Sequence, residues 1–349
     1  MAAHPDSNVS LSVVRAWEKM HMSDLTLLAE GVAVDSLVPH PADYRVFQKI
    51  IECCKYLPAV TTAVVWPLSD VALQGAVEAA VEGFIDPVLI GPADEIKALA
   101  AKTGVEISSL RVEEADTEEN AAAAAVALCR SGNAQALMKG SLHTDVLMKA
   151  VLRRGTGLRT ARRISHVFIM DTPAYGRTLL ITDAAINIAP ELEDKIDIVQ
   201  NAIDLAHALG ISEPKVALLS AIETVNAKMK STLDATALCK MADRGQITGG
   251  ILDGPLAFDT AVSVKAAAIK KLASSVTGRA DILVVPDLES GNMLVKQLQY
   301  LCGAQLAGIV LGARVPVILT SRADSAETSL TSCAVAVLLH YATDSEVMV

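Results

Sequence analysis

From about residue 60 the chain alternates between two hydrophobic periods. TAVVWP (62–67) is a short β-branched apolar run and reads as a strand. SDVALQGAVEAAVEG (69–83) has helical spacing, with Ser69 or Asp70 as its cap and Gly83 at its end. FIDPVLIGP (84–92) reads as a strand, ENAAAAAVALCRSG (119–132) as an Ala-rich helix and ALMKG (136–140) as a strand. This is the rhythm of a parallel sheet flanked by helices, which binds ligands at the carboxyl ends of its strands. The middle differs. SHVFIMD (165–171) and RTLLITD (177–183) bracket TPAYG, and Pro173 and Gly176 predict a hairpin. PELEDKIDIVQNAIDLAHALG (190–210) predicts a long helix with Pro190 in its first turn and Gly210 just past its end. KVALLS, ITGGILDGPL, DILVVPD, GIVLGA and PVILTS read as further strands, and a helix closes the chain from about residue 326.

The fold class is therefore α/β. Residues 1–42 form an N-terminal extension or arm, with an irregular amphipathic helix over 11–28 and two prolines in VPHPAD. The layout that follows from the pattern is a first α/β domain over 43–155 plus 308–349 and an inserted second α/β domain over 156–307. Chain length fits this, since 349 residues favour two domains. Aromatics are 3% of the chain, so Ala, Val, Leu and Ile must fill the interior.

The formal charge of -10 argues against nucleic acid or an anionic membrane as a partner. The apolar stretch 308–321 is broken by Gly312, Arg314 and Pro316, and 326–339 falls short of the ~20 residues a span needs. No apolar signal region follows the N-terminus. The six cysteines show no metal spacing and read as buried reduced thiols, which points to a cytoplasmic protein.

Five stretches carry candidate chemistry. In PVILTSRADS (316–325) a core strand stops at Ser321, Arg322 and Asp324, just before a helix start. Helix starts favour anions and Arg adds a planar fork of donors; a capped helix beside a surface Arg fits the residues equally. RRGTGLRTARR (153–163) concentrates five arginines, Arg159 among them, beside two glycines in an acidic protein. A phosphate-rich ligand suits that loop, and so does a solvated loop paired to surface carboxylates. In DLESGNMLVKQLQY (287–300) Asp287 follows a strand, Gly291-Asn292 opens a helix, and Asn292 and Lys296 share one face. In ILDGPLAFD the strand ends at Asp253, with Asp259 beyond, which suits a metal, a positioned donor or a simple Gly-Pro turn. MKGSLHTD places Lys139, Gly140, Thr144 and Asp145 after a strand, where small and hydroxyl residues suit phosphate or pantetheine. His143 reads as a capping or packing residue and His166 as core.

MKGSLHTD, the arginine loop, SHVFIMD, ITDAAINIAP, LSAIETVN, LDGPLAFD, PDLESGNMLVK and LTSRADS occur in this order. Over roughly residues 45–340 the set resembles the phosphate acetyltransferase and phosphate butyryltransferase family. The resemblance implies a two-domain isocitrate/isopropylmalate dehydrogenase-like fold with a cleft between the domains, usually a homodimer or a higher homo-oligomer. It implies reversible transfer of a short acyl group: acyl-CoA plus phosphate gives acyl phosphate plus CoA. Coenzyme A is then a substrate, no cofactor is permanently bound and no metal is required. By match to the family, Arg322 orients and neutralises phosphate and Ser321 holds the carbonyl oxygen as charge develops. Lys139, Gly140, Thr144, Asp145, Arg159, Asp253, Asp287, Asn292, Lys296 and Tyr300 are the expected substrate-binding residues.

Two positions depart from the acetyl-specific pattern. Thr328 stands where those relatives carry an Asp base, so Asp324 and Glu327 are the nearest carboxylates for that role. Tyr300 replaces a cleft Arg. Both resemble the butyryl branch and predict a chain longer than acetyl. The rival readings are a metal-dependent NAD(P) dehydrogenase of the same fold and a catalytically inactive CoA-binding relative.

Overall fold

The computed structural model describes residues 45–320 and 325–344. The expected arm over 1–42 lies outside the described residues, as do Ser321, Arg322 and Asp324. The described chain forms two compact units. One holds Phe47–Arg162 together with the chain from Ala307 onward, and the other holds Arg163–Leu306.

In the first unit the strands are β1 (Val60–Val65), β2 (Ile85–Gly91), β3 (Arg111–Glu114), β4 (Ala136–Lys139), β10 (Gln305–Leu311) and β11 (Val317–Ile318). Their order is β3-β2-β1-β4-β11-β10. All run parallel except β10, which pairs antiparallel with β11. Helices α1 (Arg45–Cys54), α2 (Asp70–Val81), α3 (Ala93–Thr103), α4 (Glu118–Arg130), α5 (Thr144–Leu152) and α11 (Ala326–Asp344) accompany them. Ser69 caps α2 by accepting from the Ala72 amide. The middle of α11, Cys333–Leu339, is buried on every side, as its unbroken apolar sequence requires. Its contact with α2 is close enough that a Cβ on Gly75 would stand 2.6 Å from Ser329 Cβ.

In the second unit the order is β5-β6-β9-β7-β8. The members are β5 (Ser165–Asp171), β6 (Thr178–Thr182), β7 (Lys215–Leu219), β8 (Ile251–Leu256) and β9 (Ile282–Val284). The first pair is the antiparallel hairpin, and the remaining pairs are parallel. The helices are α6 (Leu192–Ala208), α7 (Lys230–Asp243), α8 (Phe258–Val262), α9 (Val264–Ile269) and α10 (Leu288–Leu301).

Several expectations need correction. Helix α6 starts at Leu192 behind Glu191, so Pro190 lies outside its first turn. Helix α10 opens behind Asp287, three residues earlier than Gly291-Asn292, because the Asp287 carboxylate accepts from the Ser290 amide at 2.9 Å. Strand β8 runs on through Asp253, Gly254 and Pro255. The last strand is only two residues long. Strand β3 is exposed at both ends and carries no apolar signal, and α3 buries only Ile96 and Ala100; neither was legible. All six thiols are free, but Cys302 is exposed. Among the described residues no helix is long and apolar enough to cross a membrane.

Candidate active site

Three neighbouring parallel strands of the first unit end at one edge. Val65 of β1 sits beside Lys139 of β4, and Ile318 of β11 sits beside Met138. Trp66, Gly140 and Thr320 therefore leave the sheet together, at the carboxyl ends where such sheets bind ligands. Lys139 is buried and its Nζ donates to the Gly140 carbonyl at 3.1 Å. Gly140 packs against backbone: an added Cβ would stand 2.4 Å from the Val65 and Trp66 carbonyl oxygens. Ser141 donates from both its amide and its hydroxyl to the Trp66 carbonyl. Beyond them Thr144 begins α5, and the exposed Asp145 pairs with Lys149 at 3.3 Å. That hydrogen bond holds the Asp145 carboxyl below the usual carboxylate range.

On the other side of the segment 321–324, Ser325 Oγ accepts from the Thr328 amide at 3.2 Å and starts α11. Thr328 is buried with its hydroxyl 3.3 Å from Ser325 Oγ, so it belongs to this helix start. Glu327 is exposed. The backbone of Arg159 meets a different part of the sheet. It bridges to Ala313 in the β10–β11 turn, and Thr160 Oγ1 donates to the Gly312 carbonyl at 2.7 Å. That turn joins the end of β10 at Leu311 to the start of β11 at Val317. At the far end of the arginine loop, Arg163 follows the solvated reading. It meets Asp194 at 2.6 Å, donates from Nε to Asn187 Oδ1 at 2.8 Å, and its amide donates to Asp197.

In the second unit the two candidate metal carboxylates have different partners. Asp253 Oδ1 accepts from the amide of Gly254. Asp259 pairs with Lys270 at 3.1 Å, and Lys270 also reaches Glu223 at 2.8 Å. The Lys270 hydrogen bonds draw both acids below their ordinary range. Among the described residues no group of three or more His, Cys, Asp or Glu is arranged to hold a metal ion. Asp287 caps α10 and accepts from the Ser290 amide and hydroxyl. Asn292 Nδ2 donates to the Ala184 carbonyl at 3.3 Å, whereas Lys296 and Tyr300 are exposed. His166 is fully buried, its ring edge-on to Phe168, as expected of a core residue.

The sequence reading missed a charged cluster in this unit. Lys195 Nζ and Lys230 Nζ each lie 2.8 Å from Asp234 Oδ2, and Lys230 is also 3.1 Å from Glu191 Oε2. Burial pushes the Asp234 carboxyl up, hydrogen bonds from Lys195 and Lys230 pull it down, and the net position is below its ordinary range. These residues line a cavity of about 230 Å³ that Asp287 also borders. A signal was present. Lys195, Ile198, Val199 and Ala202 share the buried face of α6 at helical spacing, so a lysine occupies a core position.

Residues 113–337 match the family model described as Phosphate acetyl/butaryl transferase. The chain is 55% identical to a phosphate acetyltransferase of Rhizobium meliloti, over 85% of its own length and 94% of that relative. The chain belongs to this family. It is also 42% identical to a phosphate butyryltransferase of Clostridium acetobutylicum, over 84% of its length and 97% of that protein. Among solved structures, a branched-chain phosphotransacylase from Enterococcus faecalis V583 superposes with TM-score 0.71 at 33% identity. That match covers 80% of this chain and 99% of the other. A phosphotransacetylase from Streptococcus pyogenes gives TM-score 0.72 at 25% identity, over 85% and 98%. The α/β fold described above is thus the phosphotransacylase fold, and membership of the phosphate acetyl/butyryl transferase family extends over both units.

Proposed function

We propose that the protein is a phosphate acyltransferase that moves a short acyl group reversibly between coenzyme A and inorganic phosphate. The observation that carries this is the match at 55% identity over 85% of the chain to a relative named for that reaction. The alignment of three carboxyl strand ends at Trp66, Gly140 and Thr320 supports it, since the residues singled out for chemistry follow Thr320 directly.

In the forward direction a phosphate oxygen attacks the thioester carbonyl carbon, the C–S bond breaks, and the sulfur leaves and takes a proton as CoA. Arg322 neutralises and orients phosphate, and Ser321 donates to the carbonyl oxygen as negative charge builds. In the reverse direction Asp324 or Glu327 takes the thiol proton. Thr328 cannot act as that base, having no titratable group near neutral pH. The acyl group is short. Thr328 and Tyr300 favour a chain longer than acetyl, while the 55% identical relative is named for acetyl. Location in the cytoplasm and assembly as a homodimer or higher homo-oligomer belong to the same reading. The pairing of Asp259 with Lys270 disfavours the metal-dependent dehydrogenase alternative.

The test is phosphate-dependent release of free CoA thiol from acetyl-, propionyl-, butyryl- and longer acyl-CoA, with chelator present. Release that requires phosphate and ignores chelator is expected, and the panel ranks chain length. Arg322→Ala is expected to lose roughly 100-fold or more in turnover, the scale of removing a transition-state charge donor. No release from any acyl-CoA by folded protein overturns the reading.

A further inference from the structure

Apart from Asp287 at its border, the cavity around Lys195 is lined by residues that have no part in the acyl-transfer scheme above, yet it is built of groups that are costly to bury. The side chains of Lys195 and Asp234 are 6% and 9% exposed. An ion pair at that depth is no more stabilising than apolar residues of the same volume. Two ammonium groups also share one carboxylate oxygen, which sets like charges close together. The ammonium of Lys195 has three N–H donors but meets a single acceptor, Asp234 Oδ2, among the described residues. Two donors of a buried lysine are left to whatever fills the cavity.

The lining side chains are of both signs, Lys195 and Lys230 against the carboxylates of Asp234, Glu191 and Asp287, and the backbone adds positive charge. The cavity is bordered by Glu191, by Lys230 and Ser231, and by Asp287. These are the starting residues of α6, α7 and α10. Three helix N-termini converge there, and each is the positive end of its helix. The carboxylates of Glu191 and Asp287 are engaged with Lys230 and with Ser290. A volume of about 230 Å³ is smaller than the ~300–1,000 Å³ that encloses a whole drug-sized ligand, so it admits one group of a larger molecule or a small anion.

We propose that this cavity is a subsite for a phosphoryl group, held by Lys195 and Lys230 against the starts of α6, α7 and α10. Asp234 is the clamp that keeps both ammonium groups in place while the site is empty. Only the source of the anion rests on the acyltransferase reading: a phosphate ester of CoA, or inorganic phosphate itself.

The test is calorimetric binding of inorganic phosphate, CoA and 3′-dephospho-CoA to the full chain. Two variants are compared with wild type. Lys230→Met removes a half-exposed side chain, and Lys195→Met combined with Asp234→Leu removes the buried pair together, leaving no unpaired charge. Loss of one charge-assisted contact is expected to weaken binding about tenfold or more. If the occupant is the 3′-phosphate of CoA, CoA weakens in the variants and dephospho-CoA binds wild type equally weakly, while inorganic phosphate is unaffected. If it is inorganic phosphate, the pattern reverses. Binding of all three within twofold of wild type in Lys230→Met, or no binding of any of them to wild type, overturns the subsite. Because binding is read without turnover, a Lys230-dependent anion in a protein with no acyl transfer separates failure of the functional reading from failure of this one.

Discussion

Gly140 shows how little room the carboxyl edge of β4 leaves. Its amide donates to the Val65 carbonyl at 2.8 Å, and an added methyl group would stand 2.4 Å from that oxygen and from the Trp66 oxygen. Both obstacles are backbone, so neither can swing away. Gly140→Ala is therefore expected to destabilise by at least the roughly 1–3 kcal/mol of an overpacked core. A denaturation midpoint unchanged from wild type would show that the strand end yields instead. Thiols add a second residue-scale contrast. Burial pushes Cys53, Cys129, Cys239 and Cys333 up to about 12, and Cys54 well above its ordinary value. These thiols are poor nucleophiles at neutral pH.

The starts of the helices are where function and stability overlap. Asp287 stands in a position expected to bind substrate, and its carboxylate caps α10 by accepting from Ser290. The two roles separate by substitution. Asn also caps well, so Asp287→Asn is expected to keep stability, whereas Asp287→Ala loses about 0.5–2 kcal/mol. Equal loss in both variants, measured by denaturant unfolding, would show that the charge rather than the cap matters. Helix α6 makes the same point from the other side. Glu191 precedes it, its amide held by Asp194 Oδ2 at 3.0 Å, and one turn in Lys195 turns toward Asp234 on α7.

At the scale of the whole molecule, acid stability follows from paired carboxylates. Asp234, Glu223 and Asp259 titrate below their ordinary values when folded. Each contributes stability that is complete above its unfolded pKa of about 4 and is lost as pH falls through the folded value. Lys230 and Lys270, held by those acids, titrate above the ordinary value. Their contribution is complete below about 10.4 and is lost as pH rises through the folded value. The denaturation midpoint is thus expected to be level near neutrality and to fall at both ends. Salt separates the acids. Lys270 and Asp259 are 40% and 53% exposed and are screened, whereas Asp234 is 9% exposed and is not. Acid loss should persist at high salt; if salt abolishes it, the buried cluster contributes nothing. Much of the order of elements was written in the sequence by itself. The Ser69 cap, the hairpin around TPAYG, the long helix ending at Gly210 and the motif order that marks the family are all local patterns, legible because periods of 2 and 3.6 depend on neighbours in the chain. Only the tertiary structure decided which distant segments meet. It set β11 beside β4, bridged the backbone of Arg159 to Ala313, and joined Lys195 to Asp234 across 39 residues of chain. Those pairings follow from packing and buried charge summed over many elements, and no single stretch of sequence contains that sum.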